Sequence, residues 1–374
     1  MSPTRRQVGG VRRAGAVALL AAACLGSGPS LSAEPIVLTP IERATEHGPI
    51  RGWAATVDLS APGIEVVVSD ADGDDDLDDA DTHLAEGAEV VLTPMDSFVA
   101  RTGVALAFNA NFFAWKQDAY GNKTQADIIG LSVSDGEVIS TRRRFDDHSP
   151  DPVLLFHAGG RGAVTRGPGE PGPPMGDSWD GVAGIGPSGT SDVPGTLLVK
   201  DGENLGHSAR VQPLNRHPRT AAGVSEDGMT LYVVVIDGRQ LGHSVGATLP
   251  EVAGLLIELG ADDAVALDGG GSSSLIGRAG HVVEAFRHRA DPDGDGWVTN
   301  RPSDGRYRPV ANQVGLRLAG ARYGAPPPFV PGAEDVFSGG KPLGGGEPGG
   351  PGSAEFSRDL EGKERAEAPL QESP

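Results

Sequence analysis

The chain has 374 residues, 51 of them acidic against 31 basic, for a net charge of −20, and a single cysteine. A surface so acidic repels phosphate backbones, which argues against nucleic-acid partners, and solubility is reason enough for the charge. One cysteine excludes a disulfide framework and any cysteine-rich metal site.

Residues 1–33 carry Arg5, Arg6, Arg12 and Arg13, then the apolar run AGAVALLAAACLG, then SLSA before Glu34. Charged, apolar and small residues in that order make a secretory signal peptide, with cleavage expected after Ala33. The run is too short to remain in a bilayer as a spanning helix. Within it AAAC offers a second route, lipoprotein anchoring through Cys24, and Arg5-Arg6 has the arginine pair of a twin-arginine export signal but not its flanking residues. Either route places the mature protein outside the cytoplasm, secreted or periplasmic, without a transmembrane span. Cleavage after Ala33 removes four arginines and the cysteine, taking the charge from −20 to −24.

The body of the fold is expected over 34–320. Short β-branched runs recur along it: GWAATVDL (52–59), GIEVVVS (63–69), GVALAFNANFF (103–113), IIGLSVS (128–134) and PVLLFH (152–157). TLLVK (196–200), TAAGVS (220–225), TLYVVVID (230–237), DAVALD (263–268) and NQVGLRL (312–318) follow. Turn signals such as SDGE, KDGE and SEDG separate them, so each reads as a strand. Helices are few. A short one is expected near 94–101. A clear one occupies TLPEVAGLLIELGA (248–261): Thr248 is the N-cap, Glu251 completes a capping box, Gly260 ends it, and Leu255, Leu256 and Leu259 line its apolar face. Strand, helix and strand over 230–275 read as a βαβ-like unit. Residues 158–195, rich in glycine and proline, read as one long loop and a natural flap. No self-similar period occurs, and the balance is an α+β fold, mixed and strand-rich, with few helices. From 321 to 374, proline, glycine and charge without periodicity predict a disordered tail.

Five polar clusters interrupt the apolar strands, where a core prefers none. They are Asn109 and Asn111 in FNANFF; His217, Arg219 and Thr220 in NRHPRTAAG; Asp237 and Arg239 in VVVIDGRQ; Asp268, Gly269, Gly270, Gly271, Ser272 and Ser273 in LDGGGSSS; and Asn312 in VANQVGL. Each alone reads equally as a capped turn. Together, at strand ends, they predict one cleft. Segment 217–275 closely resembles the phosphodiester glycosidase family, and NANFF, GLSVSDGEVIS (130–140) and VANQVGL (310–316) fall in the order that family shows. The resemblance spans roughly 100–318 and implies an α+β domain that removes a sugar from a sugar-phosphodiester. The upstream family motif often reads Asn-Gly-Gly-Phe-Phe, whereas here it is Asn109-Ala110-Asn111-Phe112-Phe113. Asn111 thus sets a side chain where glycine admits substrate, a departure that bears on substrate identity.

The implied reaction passes through an oxocarbenium-like state and expels a phosphate monoester. Under the resemblance Arg219 and Arg239 are the phosphate clamp, since a guanidinium makes paired, charge-assisted bonds to phosphate. Gly269–Gly271 would turn N–H groups inward as an anion nest, helped by the Ser272 and Ser273 hydroxyls. Asp268 and Asp237 form a carboxylate pair, with the base and the nucleophile unassigned between them. Asn109, Asn111 and Asn312 orient sugar hydroxyls or an acetamido group, and His217 is an acid or a cap. The partner is then a carbohydrate or sugar-phosphate substrate of an envelope or extracellular glycan, and catalysis requires no cofactor.

Two other classes compete. GHSVG (242–246) matches the nucleophile elbow of serine esterases, with Ser244 followed by Asp268 and His281 or His288 in triad order, although DGRQL separates Ser244 from the strand. A non-catalytic glycan-binding or envelope-assembly module would keep the scaffold without turnover. In DPDGDGWVTN, Asp291, Asp293 and Asp295 alternate ahead of Gly296 as in the first half of a calcium loop, a candidate structural site in which Pro302 takes the twelfth position and Asp304 is the substitute acid. DADGDDDLDDAD (70–81) is a second stretch acidic enough to attract cations. HExxH, clustered histidines and a P-loop are all missing, so zinc hydrolysis and nucleotide chemistry have no support.

Overall fold

A computed structural model describes residues 34–74, 83–141, 151–157, 161–165, 179–186, 195–290, 294–321 and 323–327. The expected signal peptide, Cys24, Asp291 and Asp293, and the tail beyond 327 lie outside these residues. Among the described residues the chain forms four antiparallel sheets and three α-helices, so it is strand-rich and mostly β. No helix there is long and apolar enough to cross a membrane.

The largest sheet has seven strands in the order Ile36–Thr45, Gly48–Asp58, Thr230–Ile236, Arg219–Val224, Asp263–Ala266, Leu197–Lys200 and Glu203–Asn204. Its central strand TLYVVVI divides its side chains between two cores. Leu231, Val233 and Val235 pack with Trp53, Val57, Phe108, Leu154 and Val314, while Tyr232, Val234 and Ile236 pack with Leu198, Val252 and Leu256. A strand buried on both faces reads as a continuous apolar run, as this one does. Pro40 lies in the Ile36–Thr45 strand at the sheet edge, where a missing N–H is tolerated.

The Leu249–Leu259 helix covers one face of that sheet. Thr248 and Glu251 form the capping box, and Gly260 ends the helix at φ 115°. Its buried face is Leu249, Val252, Ala253 and Leu256, spaced i, i+3, i+4, i+7; Leu255 and Leu259 only flank it. Truncating Leu256 to alanine costs about 3 kcal/mol on this account. The other face meets two five-stranded sheets. One runs Trp297–Thr299, Leu275–Arg278, Leu106–Asn109, Gln313–Leu318, Ile64–Val68; the other runs Arg161–Thr165, Val153–His157, Trp179–Ala183, Ser132–Ser134, Glu137–Ser140. A three-stranded sheet joins Val90–Val91, Gln125–Ile128 and Phe113–Lys116.

Several expectations change. The two strands of the βαβ-like unit run parallel but do not touch, because Arg219–Val224 lies between them, antiparallel to both. The SEDG turn forms a hairpin before the helix crosses over, and that hairpin claims the place between the strands. The loop expected over 158–195 contains two strands, Arg161–Thr165 and Trp179–Ala183, which flank Val153–His157. IIGLSVS is split, since Gly130 at φ 89° turns the chain from one sheet to another. The short helix forms as Met95–Thr102.

Candidate active site

The Asp263–Ala266 strand ends in a wedge between two other segments. Leu267 donates its N–H to the Thr220 carbonyl (3.0 Å) and Asp268 donates its own to the Ala110 carbonyl (2.9 Å). Asn109 locks the wedge: Nδ2 donates to the Asp268 carbonyl (2.7 Å), and Oδ1 accepts from the Thr220 hydroxyl (2.7 Å) and the Ser274 N–H (3.1 Å). The glycines come next, and two of them have clear reasons. Gly270 sits at φ 63° and donates to the Pro218 carbonyl (2.9 Å), and a Cβ there would lie 3.3 Å from the Arg239 guanidinium nitrogens. At Gly271 a Cβ would fall on the Arg308 guanidinium. Two arginines press on this turn, and only glycine leaves them room.

Asp268 faces that cationic turn. Its Oδ1 accepts the Gly269 N–H (2.9 Å). The residue keeps some exposed surface, but the protein packed around it displaces enough water to push its pKa up to about 6. The Ser272 hydroxyl, the Arg308 charge, the Gly269 N–H and the Arg239 charge all pull the other way without cancelling that loss. Asp268 therefore changes charge near neutral pH, as a catalytic carboxyl does. Arg308 bonds Asp304 through Nε (3.0 Å) and a terminal nitrogen (2.6 Å). Nothing in RYRPV pointed to Arg308, because no apolar period or strand end marks it.

His217 bridges two loops. Its Nε2 lies 2.6 Å from Gln212 Oε1, and its Nδ1 lies 3.3 Å from an Arg239 nitrogen. An amide oxygen accepts and a guanidinium donates, so the proton sits on Nε2. Burial first, then the charges of Arg219 and Arg239, hold its pKa down to about 4. The ring is neutral at pH 7 and has no acidic proton to give.

Arg219 runs beside the glycine loop, its Cδ 3.9 Å from where a Cβ on Gly269 would stand, but its guanidinium is committed to backbone. It is 5% exposed, and it spends its N–H groups on backbone carbonyls of Ala247 (3.2 Å), Val211 (3.1 Å), Gln212 (2.8 Å) and Asn215 (2.9 Å). Arg308, which the sequence did not single out, reaches the glycine turn instead, against Gly271. Asp237 is likewise committed: Oδ2 meets His243 Nε2 (2.8 Å), while Oδ1 accepts from Asn300 Nδ2 (3.0 Å) and the Arg301 N–H (2.9 Å). Asn300 also donates to the Ser273 carbonyl (3.2 Å), which ties the Asp237 corner to the glycine turn. The Asn300 link went unseen in the sequence, where VTN reads as a strand end.

Asn111 and Asn312 are buried together. Asn312 Nδ2 donates to Asn111 Oδ1 (2.9 Å) and Ser132 Oγ (3.0 Å), and Asn312 Oδ1 accepts the Asn111 N–H (2.8 Å). Asn111 Nδ2 then donates to the carbonyls of Ile129 and Leu131, both at 3.0 Å. The three asparagines thus join strands where sheets meet, with Asn109 at the glycine turn. Of the serines, Ser272 bonds Asp268 and Ser274 donates to the Ser272 carbonyl (3.0 Å), while the Ser273 hydroxyl is buried with no hydrogen-bond partner.

The esterase reading fails on geometry. Ser244 is fully buried; its Oγ donates to the Asp237 carbonyl (2.6 Å) and accepts the Arg51 N–H (3.1 Å). It closes a turn and has no surface open to solvent. His281 Nδ1 lies 3.6 Å from Glu34. Of Asp291, Asp293 and Asp295 only Asp295 is described, accepting the Trp297 N–H (2.8 Å), and Asp304, the substitute acid, is paired with Arg308. In the acidic stretch at 70, Asp72 and Asp74 already face Arg101 at 3.5 and 3.4 Å.

The sequence profile described as phosphodiester glycosidase matches residues 102–317, the span that contains every residue of this cluster. No curated protein matches the chain. Among solved structures the chain is similar to a zebrafish N-acetylglucosamine-1-phosphodiester alpha-N-acetylglucosaminidase catalytic domain auto-inhibited by its pro-peptide, at 15% identity and TM-score 0.49, over 77% of this chain and 85% of that one. It is also similar to a Burkholderia pseudomallei protein whose name calls it exported, at 18% identity and TM-score 0.49, over 72% and 74%. A hypothetical protein from Synechocystis aligns at 17% identity and TM-score 0.41, over 76% and 62%.

Proposed function

This chain belongs to the phosphodiester glycosidase family, and from that premise we propose that it hydrolyses a sugar-1-phosphodiester of an envelope or extracellular glycan, outside the cytoplasm. The observation that carries the reading is Asp268, a carboxyl with a pKa near 6 beside a glycine turn against which Arg239 and Arg308 press. Water attacks the anomeric carbon as the bond from that carbon to the phosphate oxygen breaks. The water's proton passes to the Asp268 carboxylate, and the electron pair leaves on the phosphate oxygen as a phosphate monoester. That leaving group is stable as it departs, so no general acid is required, and a neutral His217 suits the step.

Arg239 and Arg308 hold the phosphate charge, which grows on the leaving oxygen in the transition state. Asp237 acts at one remove, fixing the turn through Asn300. The reaction so written draws on no metal. Incubating the purified protein and Asp268→Asn with a panel of sugar-1-phosphate diesters tests it. Free sugar from the parent, with about a 10³-fold loss in the variant, supports the reading. Equal turnover by both removes Asp268 from the mechanism, and no turnover of any diester favours a binding module.

A further inference from the structure

Two fully or largely exposed leucines stand on two loops joined at His217, one of which carries Arg239: Leu241, 100% exposed, and Leu214, 61% exposed. A lone exposed leucine is ordinary on a protein surface. These two are neither lone nor on loose chain. Leu241 follows Arg239 by two residues, Leu214 follows Gln212 by two, and His217 joins the loops by contacting both Arg239 and Gln212.

Both loops are rigid in an unusual shape. Of the five non-glycine residues with positive φ among the described residues, Val211 (66°), Gln212 (52°) and Arg239 (60°) fall in them. A β-branched residue such as Val211 avoids that region strongly. Arg219 clamps the carbonyls of Val211, Gln212 and Asn215, and the Leu249 N–H takes that of Pro213 (2.8 Å). Gln240 and Ser244 exchange backbone bonds at 3.1 and 2.9 Å, and Gln240 Nε2 donates to the Arg301 carbonyl (2.8 Å). Strain held in place by so many bonds is a mark of function, and here it presents two apolar side chains on loops that also carry Arg239 and His217.

We propose that Leu214 and Leu241 form an apolar rim that takes the hydrocarbon part of the phosphodiester's alcohol, so the substrate is an amphiphile: a sugar joined through phosphate to an alkyl or lipid chain. The inference rests on the reading of this site given above and names the substrate class within it. Arg239 grips the phosphate at the foot of one loop, and a chain leaving that phosphate passes the leucine two residues on.

Titration calorimetry with octyl phosphate and methyl phosphate tests the rim without turnover. Octyl phosphate should bind at least about tenfold more tightly than methyl phosphate, and the double variant Leu214→Ser/Leu241→Ser should lose that preference while still binding methyl phosphate. Both positions are exposed, so the variant folds. Equal affinities in the parent, a preference kept in the variant, or no binding of either phosphate overturns the rim. Parallel assays on the methyl and octyl diesters of one sugar-1-phosphate keep the two ideas apart. Octyl phosphate bound with neither diester cleaved would sink the hydrolase reading alone, whereas both diesters cleaved with equal KM would sink the rim alone.

Discussion

Asp237 and Asp268 are the same residue in the same position, an aspartate just past the end of a buried strand of one sheet, yet the fold treats them differently. Asp237 has His243, Asn300 and the Arg301 N–H on its two oxygens. Asp268 has its neighbour's N–H, a serine hydroxyl and two arginine charges, and still ionises only near pH 6. The difference is in what surrounds each group. A carboxylate surrounded by donors becomes a strut, and one stripped of water with incomplete compensation becomes a reactive group.

The comparison breaks most visibly at Asp268. Asp268→Asn should cut kcat by about 10³-fold while gaining stability at pH 8. The sign follows from linkage. An aspartate in the unfolded chain ionises near about 3.9, and Asp268 in the fold near 6. The folded protein therefore holds the proton more tightly, and the stability this contributes is full below about pH 4 and lost as pH rises through 6. Denaturant titrations at both pH values should find variant and parent alike at pH 4 and the variant more stable at pH 8.

Arg219→Met sharpens the contrast from the cationic side. It leaves the buried Ala247 carbonyl and three carbonyls of the 211–215 loop without their donor, costs about 3 kcal/mol in urea unfolding, and lowers kcat as the 211–215 loop loosens; Arg219→Lys should recover part of both. Asp237→Asn should cost about 2 kcal/mol, because its amide must point a donor at a donor or surrender His243. Ser244→Ala is the smallest change. It removes three hydrogen bonds, to the Asp237 carbonyl and from the Arg51 and Gly246 N–H groups, for about 1 kcal/mol and should leave turnover intact, where an esterase would lose everything.

Much of the frame was legible in the sequence. The capping box of Thr248 and Glu251 and the apolar run of 230–236 are local signals, and both formed as expected. Strand neighbours were not local. The hairpin inserted inside the βαβ-like unit depends on pairing across the whole sheet, which no window of residues displays. The polar clusters did meet, but their side chains divided in ways the sequence hides. Arg219, Asn109, Asn111 and Asn312 lie in or beside strands buried on both faces, where any polar group must find protein partners. That rule was available, and it separates them from Arg239 in the turn beyond its strand. Arg308 had no such signal, since it reaches the glycine turn only through the folded loop around Asp304.

The central claim is that Asp268, poised by lost water against two nearby arginines, is the group whose ionisation permits turnover. The pH dependence of kcat/KM on a sugar-1-phosphodiester, measured for the parent and for Arg308→Gln, tests it most directly. The account predicts an acid limb with a midpoint near pH 6 in the parent, moved to higher pH when the Arg308 charge is removed. A midpoint that stays in place, or a profile flat through that range, would contradict it.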